Sequence, residues 1–172
     1  MKSLLLAMVA AWASPALADS VVPHYLGGVW ATADSLFAGT TEQAELYLRE
    51  DGFGLLIGSS APATITSGPD KGKPGPRATL GMPFRSRLEG ATLTIAPFNP
   101  GYRQDRGPML ICHYQEPDAT LHCTADKKSW IMRRRSDTLD TTTAEMIEGF
   151  QIALRAYAGK ASALLPAPSI RP

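Results

Sequence analysis

Among 172 residues there are only two cysteines and three histidines. The cysteines, Cys112 and Cys123, stand too far apart for a C-x-x-C pair, and no further Cys exists to complete a zinc site. The sequence has no G-x-S-x-G elbow, no H-E-x-x-H, no P-loop and no dinucleotide fingerprint, so neither an enzyme nor a bound cofactor finds support in a motif. Past the first residues no apolar run approaches the roughly 20 residues needed to span a bilayer, and no membrane span is expected. Charge of one sign is also missing. Lys and Arg number 17 against 16 acidic residues, and loss of Lys2 with an N-terminal leader makes the two equal. That balance argues against a dedicated nucleic-acid binder.

What is present begins with an export signal. Lys2 supplies a basic start, Leu4 to Trp12 an apolar stretch ended by Ser14 and Pro15, and Ala16-Leu17-Ala18 an A-x-A cleavage site before Asp19. Residues 1–18 are expected to be removed, and no Cys follows to carry a lipid. The mature chain is then periplasmic or secreted, with 19–27 as a lead-in, 28–160 as a single domain, and 161–172 as a Pro-rich tail expected to be disordered.

Between Gly28 and Arg135 short alternating segments are separated by turn residues, the pattern of an antiparallel meander. Val29 to Ala33 opens it around Trp30. Ala44, Leu46 and Leu48 alternate with polar neighbours, and Asp51-Gly52 turns the chain into Phe53, Leu55 and Ile57. Phe84 to Leu88 and Leu93 to Ile95 flank Gly90; Met109 to Gln115 and Thr120 to Ala125 flank Glu116-Pro117-Asp118-Ala119; Ser129 to Arg135 closes the series. With a further candidate at Arg77 to Met82, the count of about eight strands suits a closed barrel or a small sandwich. Phe53, Leu55, Ile57, Phe84, Leu88, Leu93 and Ile95 are the expected inward residues.

The segment 60–83 carries five prolines and reads as a loop along most of its length, made basic by Lys71, Lys73 and Arg77. After Asp140 the period changes. Thr142-Thr143-Ala144-Glu145 fits a capping box, and Met146, Phe150, Leu154 and Tyr157, with Ile147 beside them, predict an amphipathic helix ending near Gly159 and packed on the sheet. Gly149 inside it suggests close approach of the helix backbone to the sheet.

Cys112 and Cys123 are equidistant from the Pro117-Asp118 turn, so they oppose one another and are expected to be bonded in an oxidising compartment. The same register sets His113 against His122 on the other face, a weak metal pair that needs a third ligand such as Glu116 or His24. Lys127, Lys128, Arg133, Arg134 and Arg135 gather positive charge around the last strand. Alternation separates Arg134, with Trp130 and Met132, from Arg133 and Arg135.

Gly28-Val29-Trp30 opening the first strand, the meander of about eight strands, a basic residue late in the last strand and a C-terminal helix together resemble the lipocalin-like barrels. The Thr-Asp-Tyr element of typical lipocalins is absent around Glu116 to Thr120. The resemblance implies a mainly β fold closing into a barrel with the helix packed on it. In such barrels the G-x-W tryptophan closes one end against a basic side chain, here one of Arg133 to Arg135. It further implies a small, partly apolar or amphipathic ligand held in or at the barrel mouth. The alternative expectation is an envelope interaction protein, such as an inhibitor or immunity-type partner of another protein, acting through its loops and basic strand.

Overall fold

The computed structural model describes residues 22–98 and 109–164, the last seven of these without their side chains. The expected leader and the tail from 165 lie outside the described residues. Eight strands are present: β1 Gly28–Ala31, β2 Gln43–Leu48, β3 Phe53–Ser59, β4 Thr79–Glu89, β5 Thr92–Pro97, β6 Leu110–Gln115, β7 Thr120–Ala125 and β8 Lys128–Ser136, followed by helix α1, Thr141–Leu164. Each strand pairs antiparallel with the next. β8 returns to β1, so the sheet closes as a barrel and leaves no open edge. The stretch Arg77 to Met82 is not a separate strand. From Thr79 it runs straight into Phe84–Glu89 as one strand of 11 residues. Pro83 is tolerated there because its backbone N, which has no hydrogen to donate, points to the β5 side beyond the last ladder pair, Phe84 with Pro97, where its carbonyl accepts the Phe98 N–H.

The barrel interior is filled by Trp30, Leu46, Leu48, Phe84, Leu93, Ile95, Leu121 and Met132, all essentially inaccessible to water. Each such side chain contributes about 1.5–3 kcal/mol by leaving water. Phe53, Leu55 and Ile57 are not among them. They face outward, where Phe53 and Leu55 are buried with Ile147 of α1, and Tyr47, Ile57, Phe98, Leu139 and Leu154 pack around them. The inward positions of β3 are instead Gly54, Leu56 and Gly58. A helix laid on the outside gives that strand a second apolar face, so alternation alone assigns the wrong one.

Helix α1 begins on Asp140, whose carboxylate accepts the Thr143 backbone N–H at 3.0 Å. Hydrogen bonds from Thr143 hold the Asp140 carboxyl below the usual range. The cap is thus Asp140 rather than Thr142. The packed seam is Ile147, Gln151 and Leu154, with the Gln151 amide reaching Asp51 at 3.2 Å. Met146, Phe150 and Tyr157, expected on the packed face, are exposed, since the seam lies about one position further round the helix. A Cβ at Gly149 would touch nothing, so no close approach explains that glycine. The helix also continues past Gly159 to Leu164.

Cys112 and Cys123 are direct partners on β6 and β7 and form a disulfide inside the barrel, both buried. With 11 residues of separation, the loop it closes stabilises the fold by roughly 2–4 kcal/mol on the chain-entropy argument. Two results are expected. Thiol labelling of the unfolded, unreduced protein detects no free cysteine, and the double variant Cys112→Ala/Cys123→Ala still folds but with a midpoint of denaturation lowered to match that loss.

Candidate functional site

The two ends of the barrel differ. At one end Trp30 stands at the centre of a plug made by residues 22–27, with Val22 and Leu26 fully buried. Its indole N–H donates to the Leu26 carbonyl at 2.8 Å. The Arg134 guanidinium lies over its ring, 5.1 Å from the centroid, and donates to the carbonyls of Tyr25 (2.6 Å), His24 (3.3 Å) and Gly27. Tyr114 meets the indole edge-on. Gly28 has φ of 113°, and a Cβ there would fall 2.3 Å from the Ser136 carbonyl oxygen, so the glycine of the G-x-W motif is required by the backbone contact between β1 and β8. Of the three candidates Arg133 to Arg135, Arg134 is the one that meets Trp30.

The other end holds a cavity of about 440 Å³, floored by Leu56, Leu110 and Met132 and walled by Ala44, Gly58, Met82, Met109, Ala125 and Trp130. Its origin lies in two glycines of β3. Gly54, near the closed end, faces the ring of Phe84, which would sit 2.4 Å from an added Cβ and so fills the space completely. Gly58 has the same inward aspect one layer below the rim, yet a Cβ there would touch nothing within 4 Å. The void above Leu56 is the room that Gly58 leaves and no neighbour occupies.

The rim is polar, and several of its groups are already engaged. Glu42 pairs with Lys128 at 2.7 Å. Gln43 accepts the Thr32 hydroxyl at 2.7 Å and donates to Thr41, and the Ser59 and Ser60 hydroxyls donate to the carbonyls of Leu36 and Ala61. The segment after β3 is not a slack loop. It folds back on itself through Thr64 and Pro74, with Ala63 N–H donating to Pro76 and Ile65 N–H to Lys73. Arg77 ties it to the β1–β2 connection by donating to the carbonyls of Thr41 (2.7 Å), Ala38 (3.0 Å) and Gly39, and it also donates to that of Ser60 (2.8 Å) just after β3. These four carbonyls take up its N–H donors, and Lys73 is paired with Asp70. Residues 99–108, which connect β5 to β6, lie outside the described residues.

The remaining sequence-derived sites are distributed around the outer wall. His113 and His122 are register partners, exposed and on the face opposite the disulfide; His113 Nδ1 lies 3.2 Å from the Thr92 hydroxyl. His24 does not join them. It sits at the closed end against Glu50 at 2.6 Å, and among the described residues no group of three His, Cys, Asp or Glu side chains converges as a metal site. Of the basic cluster, Lys127 and Arg133 are exposed, Lys128 is held by Glu42, and Arg135 is paired with the buried carboxylate of Glu45.

Glu45 also accepts the Tyr47 hydroxyl at 2.5 Å. Burial, and then the hydrogen bond to this carboxylate, push the Tyr47 phenol up to about 12. The folded protein therefore keeps a proton that the unfolded chain releases above its ordinary value of 10.0. The stabilisation from this phenol is full below pH 10 and is lost as pH rises towards 12. An absorbance titration of phenolate formation is expected to show a step delayed towards pH 12, and Tyr47→Phe removes that step.

No protein-family model matches the chain, and no curated protein or solved structure matches it.

Proposed function

We propose that the protein is an exported binding protein that holds a small, partly apolar molecule in the mouth of its barrel. The observation that carries this reading is the cavity above Leu56. It is of ligand-pocket size, lined largely by apolar side chains, and set over a packed floor in a barrel whose other end is plugged by Trp30. Export is supported by the signal-like sequence pattern of residues 1–18 and by a disulfide of the kind that persists in oxidising compartments. The uncharged fluorophore N-phenyl-1-naphthylamine, whose emission rises in apolar surroundings, is expected to bind at one saturable site per chain. A signal that rises linearly with probe and never saturates would sink the proposal.

A second reading, as an interaction protein of the cell envelope, rests on the exposed side chains of Met146, Phe150, Ile152 and Tyr157 on α1. It predicts that a stoichiometric protein partner is recovered from envelope extract with the mature chain, and that Phe150→Ser abolishes the recovery.

A further inference from the structure

We infer that the mouth cavity selects uncharged, ring-bearing molecules over carboxylate-headed chains; this rests on the binding reading above and names the class of its ligand. Charge is the first argument. Glu42 is the only ionisable residue lining the cavity among the described residues, and Lys128 already neutralises it at 2.7 Å. Arg77, whose partners include the carbonyl of the lining residue Ser60, directs its donors to backbone carbonyls. A fatty-acid carboxylate seated here would lose water and gain no free cation among the described residues, which is unfavourable.

The second argument is the chemistry of the wall. Met82 on β4, Met109 just before β6 and Met132 on β8 bring thioethers to the cavity from three sides of the barrel, and Trp130 supplies an indole. Sulfur and indole both favour an aromatic ring over an alkyl chain of equal area. The serine hydroxyls and the Gln43 amide at the rim are committed to the protein's own groups, so a ligand dense in hydrogen-bonding groups finds few side-chain partners among the described residues, the Thr79 hydroxyl and the Trp130 indole N–H.

The test is displacement of N-phenyl-1-naphthylamine from the full exported chain at neutral pH by dodecan-1-ol and by dodecanoate, which differ in the head group. Dodecanoate is expected to need a concentration at least about tenfold higher than dodecan-1-ol. Dodecanoate displacing the probe at the same or a lower concentration overturns the selection against carboxylates while leaving the binding reading standing. Failure of the probe and both competitors to bind overturns that reading and this inference together. For the ring preference, Trp130→Leu is expected to weaken the probe by about fivefold, with dodecan-1-ol unchanged within about twofold and Trp130→Phe restoring most of the loss. Probe affinity unaltered in both variants, or lost equally with dodecan-1-ol and not restored by Phe, overturns it.

Discussion

Trp30→Ala is expected to lower the unfolding free energy by about 3–5 kcal/mol, the usual range for deleting a buried indole. The loss has three parts. The side chain is wholly inaccessible, so its removal leaves a cavity among Val22, Leu26 and Tyr114. The Leu26 carbonyl loses the indole N–H that satisfies it. Arg134 loses the ring it lies over, although its bonds to the carbonyls of Tyr25, His24 and Gly27 remain. Native proteins are stable by only about 5–15 kcal/mol, so this single change removes a large share of the whole. Urea denaturation followed by circular dichroism measures it, with the midpoint falling and the slope unchanged. Trp30→Phe keeps a ring but not the donor and is expected to fall between the two. A loss below about 1 kcal/mol for Trp30→Ala would mean that the indole does not hold the closed end.

Gly58→Phe is expected to abolish binding of N-phenyl-1-naphthylamine, with affinity reduced by at least about a hundredfold, because the new ring occupies the volume the probe needs. This substitution is informative because it does not damage the fold. The backbone at Gly58 does not lie in the left-handed region, and a Cβ there meets nothing within 4 Å. A strand position also prefers an aromatic residue to glycine, and the unfolded chain loses freedom it would otherwise keep. Stability is therefore expected to hold or rise by about 1 kcal/mol while binding disappears. Unchanged probe affinity in a folded Gly58→Phe protein would place the site elsewhere than the mouth. Gly54→Phe is the contrasting control. It sets a ring against Phe84 and the Tyr47 carbonyl, where even a Cβ has no room, and is expected to disrupt folding.

These two glycines also mark the limit of the sequence reading. Alternation in Phe53-Gly54-Leu55-Leu56-Ile57-Gly58 offers two registers, and the larger side chains favour the one that points Phe53, Leu55 and Ile57 inward. Helix α1 reverses that choice by covering them from outside with Ile147 and Leu154. The void follows from the reversal, because it is the glycines that face in. A related error occurs on the helix, where Met146, Phe150 and Tyr157 form the more apolar stripe but Ile147, Gln151 and Leu154 form the seam. In both cases hydrophobicity identifies the surfaces that tend to leave water, and only the neighbouring element decides which of them does.

Local sequence determined what depends on neighbours in the chain. Turn residues and alternation delimited strands, and symmetry about Pro117-Asp118 put Cys112 opposite Cys123 and His113 opposite His122, because antiparallel register is fixed by the turn that joins two strands. Alternation likewise separated Arg134 from Arg133 and Arg135. Tertiary structure decided what depends on distant partners: the return of β8 to β1, the choice of Arg134 as the side chain over Trp30, the covered face of β3, and the cavity beside Gly58. A cavity is set by side chains that fail to reach one another across the barrel, and that distance is a property of closure which no single strand encodes.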